Sequence, residues 1–276
     1  MVKKYLVALF VLFGLNSYLL AENIYPISRE MGSGTRGAFV DIFDVKEQVG
    51  KKKIDATSKK AEVTNSTGVM ITTVANSKNA IGYISLGSLN DSIKAVKIDG
   101  VAPSVENINN KSYTVFRPFN LAISSDNELV NDFLGYTSSN QAKSIIQKAG
   151  YIALYNNEFS SKKPSGKIVV AGSSSITPLM EKLKESYKSL NPNATIEIQQ
   201  SDSTTGINSA IEKIANIAMV SREFKDSELK NGLKTQVLAL DGLAVIVNKS
   251  NPIDSLSKDS VKKIFTGDIT TWEKVK

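Results

Sequence analysis

The chain has 276 residues, 41% of them hydrophobic and 22% charged, with 34 Lys and Arg against 27 Asp and Glu and a formal charge of +7. It has no cysteine and no histidine, which excludes disulfides, thiolate metal sites, Ser-His-Asp triads and the commonest general base near neutral pH. A binding protein is therefore favoured over an enzyme, and no basic run interleaved with aromatics points to nucleic acid.

Met1–Lys4 is basic, Tyr5–Leu15 is an almost unbroken apolar run, and Leu19-Leu20-Ala21 precedes Glu22. This is the pattern of a cleaved export signal over 1–21 ending near Ala21. The apolar run is short for a span of about 20 residues. The absence of cysteine rules out a lipid anchor on an N-terminal cysteine. Removing 1–21, which carries Lys3 and Lys4 and no acid, lowers the charge from +7 to +5.

After it, Ile24–Ser28 reads as a short strand, Gly32–Gly34 as a glycine-serine loop, and Phe39, Ile42 and Phe43 as a helix face. Asp44–Asn65 is polar and lysine-rich and is expected to be a surface excursion with room for a helix. Val69–Ala75 reads as a helix, Ala80–Ser85 and Tyr113–Ile123 as strands, and Leu129–Leu134 and Ala142–Ala149 as helices. Tyr155–Gly166 is polar, holds Pro164 and Gly166, and lacks apolar periodicity, so it reads as a linker. Lys167–Gly172 is a buried-strand pattern, followed by a helix through Ile176, Leu179, Leu183, Tyr187 and Leu190 with Pro178 in its first turn. Thr195–Gln199 is a strand, Ile207, Ile211 and Ile214 a helix face, and Ile217–Val220 and Leu243–Val247 strands. Alternation of this kind predicts an α/β fold.

One unit recurs: a strand, a Gly/Ser/Thr loop, then a helix. It stands at Gly32–Thr35, Ala171–Thr177, Ser201–Gly206 and, in a weaker form, Ser66–Gly68. A helix N-terminus offers unpaired N–H groups and partial positive charge, glycine allows close approach, and hydroxyls add donors. One such loop is read as a helix cap; several in one chain, one flanked by Arg29 and Arg36, together with Ser221-Arg222 just after the strand Ile217–Val220, predict an oxyanion site. Arg29 would grip two oxygens with its guanidinium fork, and Ser33, Gly34 and Thr35 would follow with hydroxyl and backbone donors. Ser66 and Thr67 read as a cap. The acidic residues are scattered, with no metal-ligand spacing.

The stretch Ser28–Phe39 (SREMGSGTRGAF) closely resembles the signature loop of the phosphate-binding proteins of Pst-type ABC transporters. Ser66–Leu89, Val169–Leu183, Ile217–Glu223, Ala239–Pro252 and Ile264–Trp272 resemble further segments of that family. The order differs. In the family the segment like GKIVVAGSSS comes first, and the one like FTGDITTW runs directly into the one like ISREMGSGTR. The resemblance therefore implies a two-lobed periplasmic binding protein fold of type II-like architecture in circularly permuted order. Its parts would be one lobe of 22–92 with 249–276, a second of 93–248, and a linker at 155–166 joining the original termini. Asn23 and Val275 should then lie close.

The resemblance also implies the ligand set: Arg29, Ser33, Gly34, Thr35, Ser174, Ser175, Ser203, Ser221 and Arg222. Some members carry an aspartate at the position of Arg222 that accepts phosphate's proton; here a hydroxyl or backbone carbonyl would have to serve. The implied function is extracytoplasmic capture of inorganic phosphate and delivery to inner-membrane ABC permease subunits. The protein would be a periplasmic monomer with no catalytic residue, cofactor or metal. Another oxyanion (sulfate, molybdate or a phosphonate) or a sensory role on the same scaffold is the alternative.

Overall fold

A computed structural model describes residues 22–275; the expected export signal lies outside them. The strands are β1 (Tyr25–Arg29), β2 (Lys46–Val49), β3 (Lys52–Asp55), β4 (Glu62–Thr64), β5 (Ala80–Ser85), β6 (Ile93–Ala95), β7 (Lys97–Ile98), β8 (Phe116–Ile123), β9 (Gly166–Ser173), β10 (Ala194–Ser201), β11 (Ile217–Val220), β12 (Lys234–Asn248) and β13 (Ser255–Leu256). The helices are α1 (Gly34–Ile42), α2 (Thr67–Ala75), α3 (Val105–Asn109), α4 (Glu128–Thr137), α5 (Asn140–Lys148), α6 (Thr177–Leu190), α7 (Ser203–Ile211), α8 (Asp226–Leu229) and α9 (Lys258–Thr266).

One mixed sheet runs β10-β9-β11-β8-β12-β5-β1-β4, with β6 also on β12. Its two flanks are built alike. β10, β9 and β11 are parallel, as are β4, β1 and β5, and the antiparallel strands β8 and β12 join the flanks. The first part of β12 pairs with β8 as far as Gly242, and from Leu243 it pairs with β5. An irregularity between Val237 and Ala239 bends it on the way.

The apolar core is divided at the same place. One cluster holds Phe119, Leu121 and Ile123 of β8, Leu238 and Ala239 of β12, and the inward faces of α4, α5, α6, β9 and β11. Another holds Ile24, Phe39, Tyr83, Leu243, Val245, Val247 and Phe265. Residues 93–115, expected in the second lobe, supply Val96, Ile98, Ile108, Tyr113 and Val115 to this latter cluster. Strand pairing holds them there, β6 on β12 and β7 on β13.

Two sequence expectations need correction. Asp44–Asn65 contains no helix: β2 and β3 form an exposed hairpin around Gly50, which has φ 59°, and β4 joins the sheet beside β1. The helix face through Ile214 stops at Ile211, because Lys213 is left-handed with φ 59° and Ile214 is exposed. Elsewhere the expected strands and helices recur within a few residues, with α4 and β12 longer than their apolar patterns.

The described ends of the chain meet. Asn23 bridges Thr271, the Ile24 N–H donates to Thr270 at 2.8 Å, and the Trp272 N–H donates to Glu22 at 3.1 Å. Val275 packs on the same cluster as Ile24. The segment 155–166 is tied down despite its polar composition: Ser161 Oγ and the Lys162 N–H donate to Asp132 at 2.6 and 2.9 Å, and Asn191 Nδ2 donates to the Pro164 carbonyl at 2.9 Å.

Candidate functional site

Four loops are joined by hydrogen bonds, and each opens a helix: Ser33 before α1, Ser66 before α2, Ser173–Ile176 before α6 and Asp202 before α7. Arg29 ends β1 and is 2% exposed. Its Nε and Nη2 donate to the Glu30 carboxylate at 2.8 and 2.7 Å, and Nη2 also reaches Ser174 Oγ at 3.1 Å. Nη1 lies 3.5 Å from Thr67 Oγ1. The backbone beneath it is fixed from two sides. The Arg29 N–H donates to the Tyr83 hydroxyl at 3.1 Å, and Arg36 Nη1 donates to the Arg29 carbonyl at 2.8 Å. Tyr83 is itself locked by stacking on Phe39, 3.9 Å between ring centres.

Hydroxyls surround this guanidinium. Thr35 Oγ1 lies 2.8 Å from Ser175 Oγ, and Thr67 Oγ1 lies 3.0 Å from it. The Thr67 N–H donates to Ser174 Oγ at 3.3 Å. These bonds join residues 29–67, on one flank of the sheet, to residues 174 and 175 on the other. Beside them Ser173 Oγ donates to Ser221 Oγ at 2.9 Å, and Ser203 Oγ lies 3.4 Å from the same oxygen. A Cβ on Gly34 would run into the Ser203 and Ser221 hydroxyls, so only glycine lets α1 come this close to α7. Ser33 is buried and its hydroxyl accepts from the Arg36 N–H at 3.2 Å as the cap of α1.

Eight of the nine expected residues, Arg29, Ser33, Gly34, Thr35, Ser174, Ser175, Ser203 and Ser221, are thus gathered in one place. The ninth, Arg222, borders the same loops: a Cβ on Gly37 of α1 would lie 3.1 Å from its Cδ. Its Nη1 and Nη2 donate to the two carboxylate oxygens of Glu228 at 2.8 and 2.7 Å, and Nη2 reaches Thr204 Oγ1 at 3.3 Å. Burial pushes the Glu228 carboxyl up, but Arg222 and the Lys225 N–H outweigh burial and hold it below the usual carboxylate range.

Sequence reasoning missed Thr67. Ser66 caps α2 as expected, its Oγ accepting from the Val69 N–H at 3.2 Å, yet the next hydroxyl joins the cluster. The recurring loop pattern at Ser66–Gly68 was the available signal. Ser173 was also missed, although it stands in the same loop as Ser174 and Ser175. A buried cation among hydroxyls and helix N-termini can hold a tetrahedral oxyanion by charge-assisted hydrogen bonds.

Comparison with known proteins gives the relationship. Residues 157–275 match the PBP superfamily domain. The chain is 50% identical over 250 residues to the phosphate-binding protein PstS 2 of Streptococcus agalactiae serotype V, covering 89% of this chain and 85% of that one. It is 44% identical to the phosphate-binding protein of a Streptococcus pneumoniae TIGR4 phosphate ABC transporter, whose crystal structure it matches with a TM-score of 0.73 over 92% of this chain and 100% of that one. The PstS of Staphylococcus haemolyticus matches 38% of the chain at 37% identity and 35% of its own length. With such identity sustained along almost the full length of a relative, this chain belongs to the PstS family of phosphate-binding proteins.

Proposed function

We propose that this protein binds inorganic phosphate outside the cytoplasm and hands it to an ABC importer without chemical conversion. The observation that carries the reading is Arg29, buried among the hydroxyls of Thr35, Thr67, Ser174 and Ser175 where four helices begin. Phosphate would be held by Arg29, Ser33, Gly34, Thr35, Ser174, Ser175, Ser203 and Ser221, with Thr67 added to that set. Arg222 pairs with Glu228 as Arg29 does with Glu30, but its remaining contacts go to Thr204 and the Glu223 carbonyl rather than to Ser174 and Thr67, so it would support the Ser203–Ser221 side rather than touch the anion.

Because both core blocks contribute donors, binding would draw them together by a hinge motion. The two clusters support lobes that meet at 115/116 and 242/243, where β12 passes from β8 to β5. The pairing of Asn23 with Thr271 supports circular permutation. So does the contrast between matches that run the length of the chain and matches that cover about two fifths of it. We read residues 1–21 as an export signal cleaved near Ala21 and the mature protein as a monomer. No helix among the described residues is long and apolar enough to cross a membrane.

Isothermal titration of residues 22–276 with phosphate, repeated in excess sulfate, tests the reading. Micromolar or tighter binding that survives sulfate is expected. A folded protein that gives no heat with phosphate but binds sulfate or molybdate would replace phosphate with that oxyanion.

A further inference from the structure

Arg117 and Asp241 are direct register partners on β8 and β12, next to the point where β12 passes from β8 to β5. Both are buried, at 2% and 0% exposure. Arg117 Nε and Nη2 each donate to Asp241 Oδ2 at 3.1 Å. The pair has a polar tie to each side. Asp241 Oδ1 accepts from Ser85 Oγ at 2.8 Å, and the carboxylate also receives the Leu86 N–H at the end of β5. Arg117 Nη1 donates to the Ser221 carbonyl at 3.0 Å, on the loop whose hydroxyl meets Ser173 and Ser203. The Phe119 ring lies 5.3 Å beneath the guanidinium and confines it.

We infer that Arg117 is a positioning residue for Ser221, and that the Arg117–Asp241 pair is the pivot through which the pairing of β8 with β12 sets the place of that hydroxyl. A buried ion pair of this kind costs desolvation and is weak evidence for stability alone. A fork that satisfies two acceptors on different elements instead fixes their geometry. Lysine at 117 would keep the charge but could not hold Asp241 and the Ser221 carbonyl together in that way.

The inference deepens the phosphate-binding reading, and only its affinity arm rests on that reading. The first arm uses no ligand: amide hydrogen exchange across Met219–Glu223 in the full mature chain, parent against Arg117→Lys. At least tenfold faster exchange there, with Ala194–Ser201 unchanged, is expected; unchanged exchange at Met219–Glu223 overturns the inference. The second arm measures the phosphate Kd of Arg117→Lys, Ser221→Ala and the double variant. Arg117→Lys should weaken binding at least tenfold alone but no more than threefold in the Ser221→Ala background. Additive losses, or a single-variant change under threefold, overturn it. If Arg117→Lys fails to fold, Ser85→Ala frees Asp241 from the far side, and exchange at Met219–Glu223 should then rise at least threefold; no rise overturns the inference. A parent that binds no phosphate removes the phosphate reading, while the exchange arm still decides the pivot.

Discussion

Gly172 and Gly206 face each other backbone to backbone: a Cβ on Gly206 would lie 2.7 Å from Gly172 Cα and 2.8 Å from the Ala171 carbonyl oxygen. Gly172 also has φ 128°, a region that side chains avoid. This contact lets the start of α7 sit directly on β9 and brings Ser203 to Ser173 and Ser221. Gly206→Ala should therefore push α7 outward, costing about 1–3 kcal/mol by overpacking, and should also weaken phosphate binding. Denaturant unfolding together with titration checks both effects; a stable variant with parental affinity would contradict the close packing of α7 on β9 as the cause.

The two arginines should behave differently. Arg29→Ala removes a charged donor from a desolvated site and should weaken phosphate binding by about 2–4 kcal/mol. Arg222→Ala should act mainly on stability, because it strands Glu228, a largely buried carboxylate held by two of its donors. Titration and thermal unfolding of both variants separate the roles. An Arg29→Ala loss under tenfold, or an Arg222→Ala affinity loss larger than that of Arg29→Ala, would reverse the assignment.

Ser66 and Thr67 are neighbours with separable roles. Ser66→Ala should cost about 1 kcal/mol through the lost cap of α2 and leave the phosphate Kd within threefold. Thr67→Ala removes a hydroxyl bonded to Ser175 and should weaken binding about tenfold. Equal Kd values for the two variants would return Thr67 to a capping role.

The stability of the ligand-free protein should also carry the mark of Asp241. Burial pushes its carboxyl up to about 6, against the pull of Arg117, Ser85 and the Leu86 N–H, with Tyr113 and Tyr151 also near it. A folded value above the unfolded value of about 4 means that the proton favours the fold. This contribution is full below about pH 4 and is lost as pH rises through about 6. Each tenfold difference in proton affinity between the folded and unfolded chain is worth about 1.4 kcal/mol. Urea unfolding from pH 4 to 7 should show this loss in the parent and a flatter profile in Asp241→Asn. Parallel profiles would exclude Asp241 as its source.

Local pattern along the chain marked the longer strands and helices and the loops that open α1, α2, α6 and α7, but not the short strands β2, β3, β4, β6, β7 and β13 or the helices α3, α8 and α9. Apolar spacing marked β5, β11 and α6 because each buries a continuous face, and the glycine-serine loops marked the helix starts because hydroxyl caps and close backbone approach leave few other residue choices. Which donors meet was settled by packing in three dimensions. Thr67 lies next to a capping serine and has the same local chemistry, so its place beside Ser175 follows from α2 being carried onto the loop before α6. Arg222 looked equivalent to Arg29 beside its own serine, and each fork meets a carboxylate, yet only Arg29 also reaches Ser174 and Thr67. Arg117 and Asp241 stand 124 residues apart, and nothing local foretells that the antiparallel pairing of β8 and β12 brings them into register. Side-chain partners across such distances are set by strand pairing and core packing, which a local pattern does not encode.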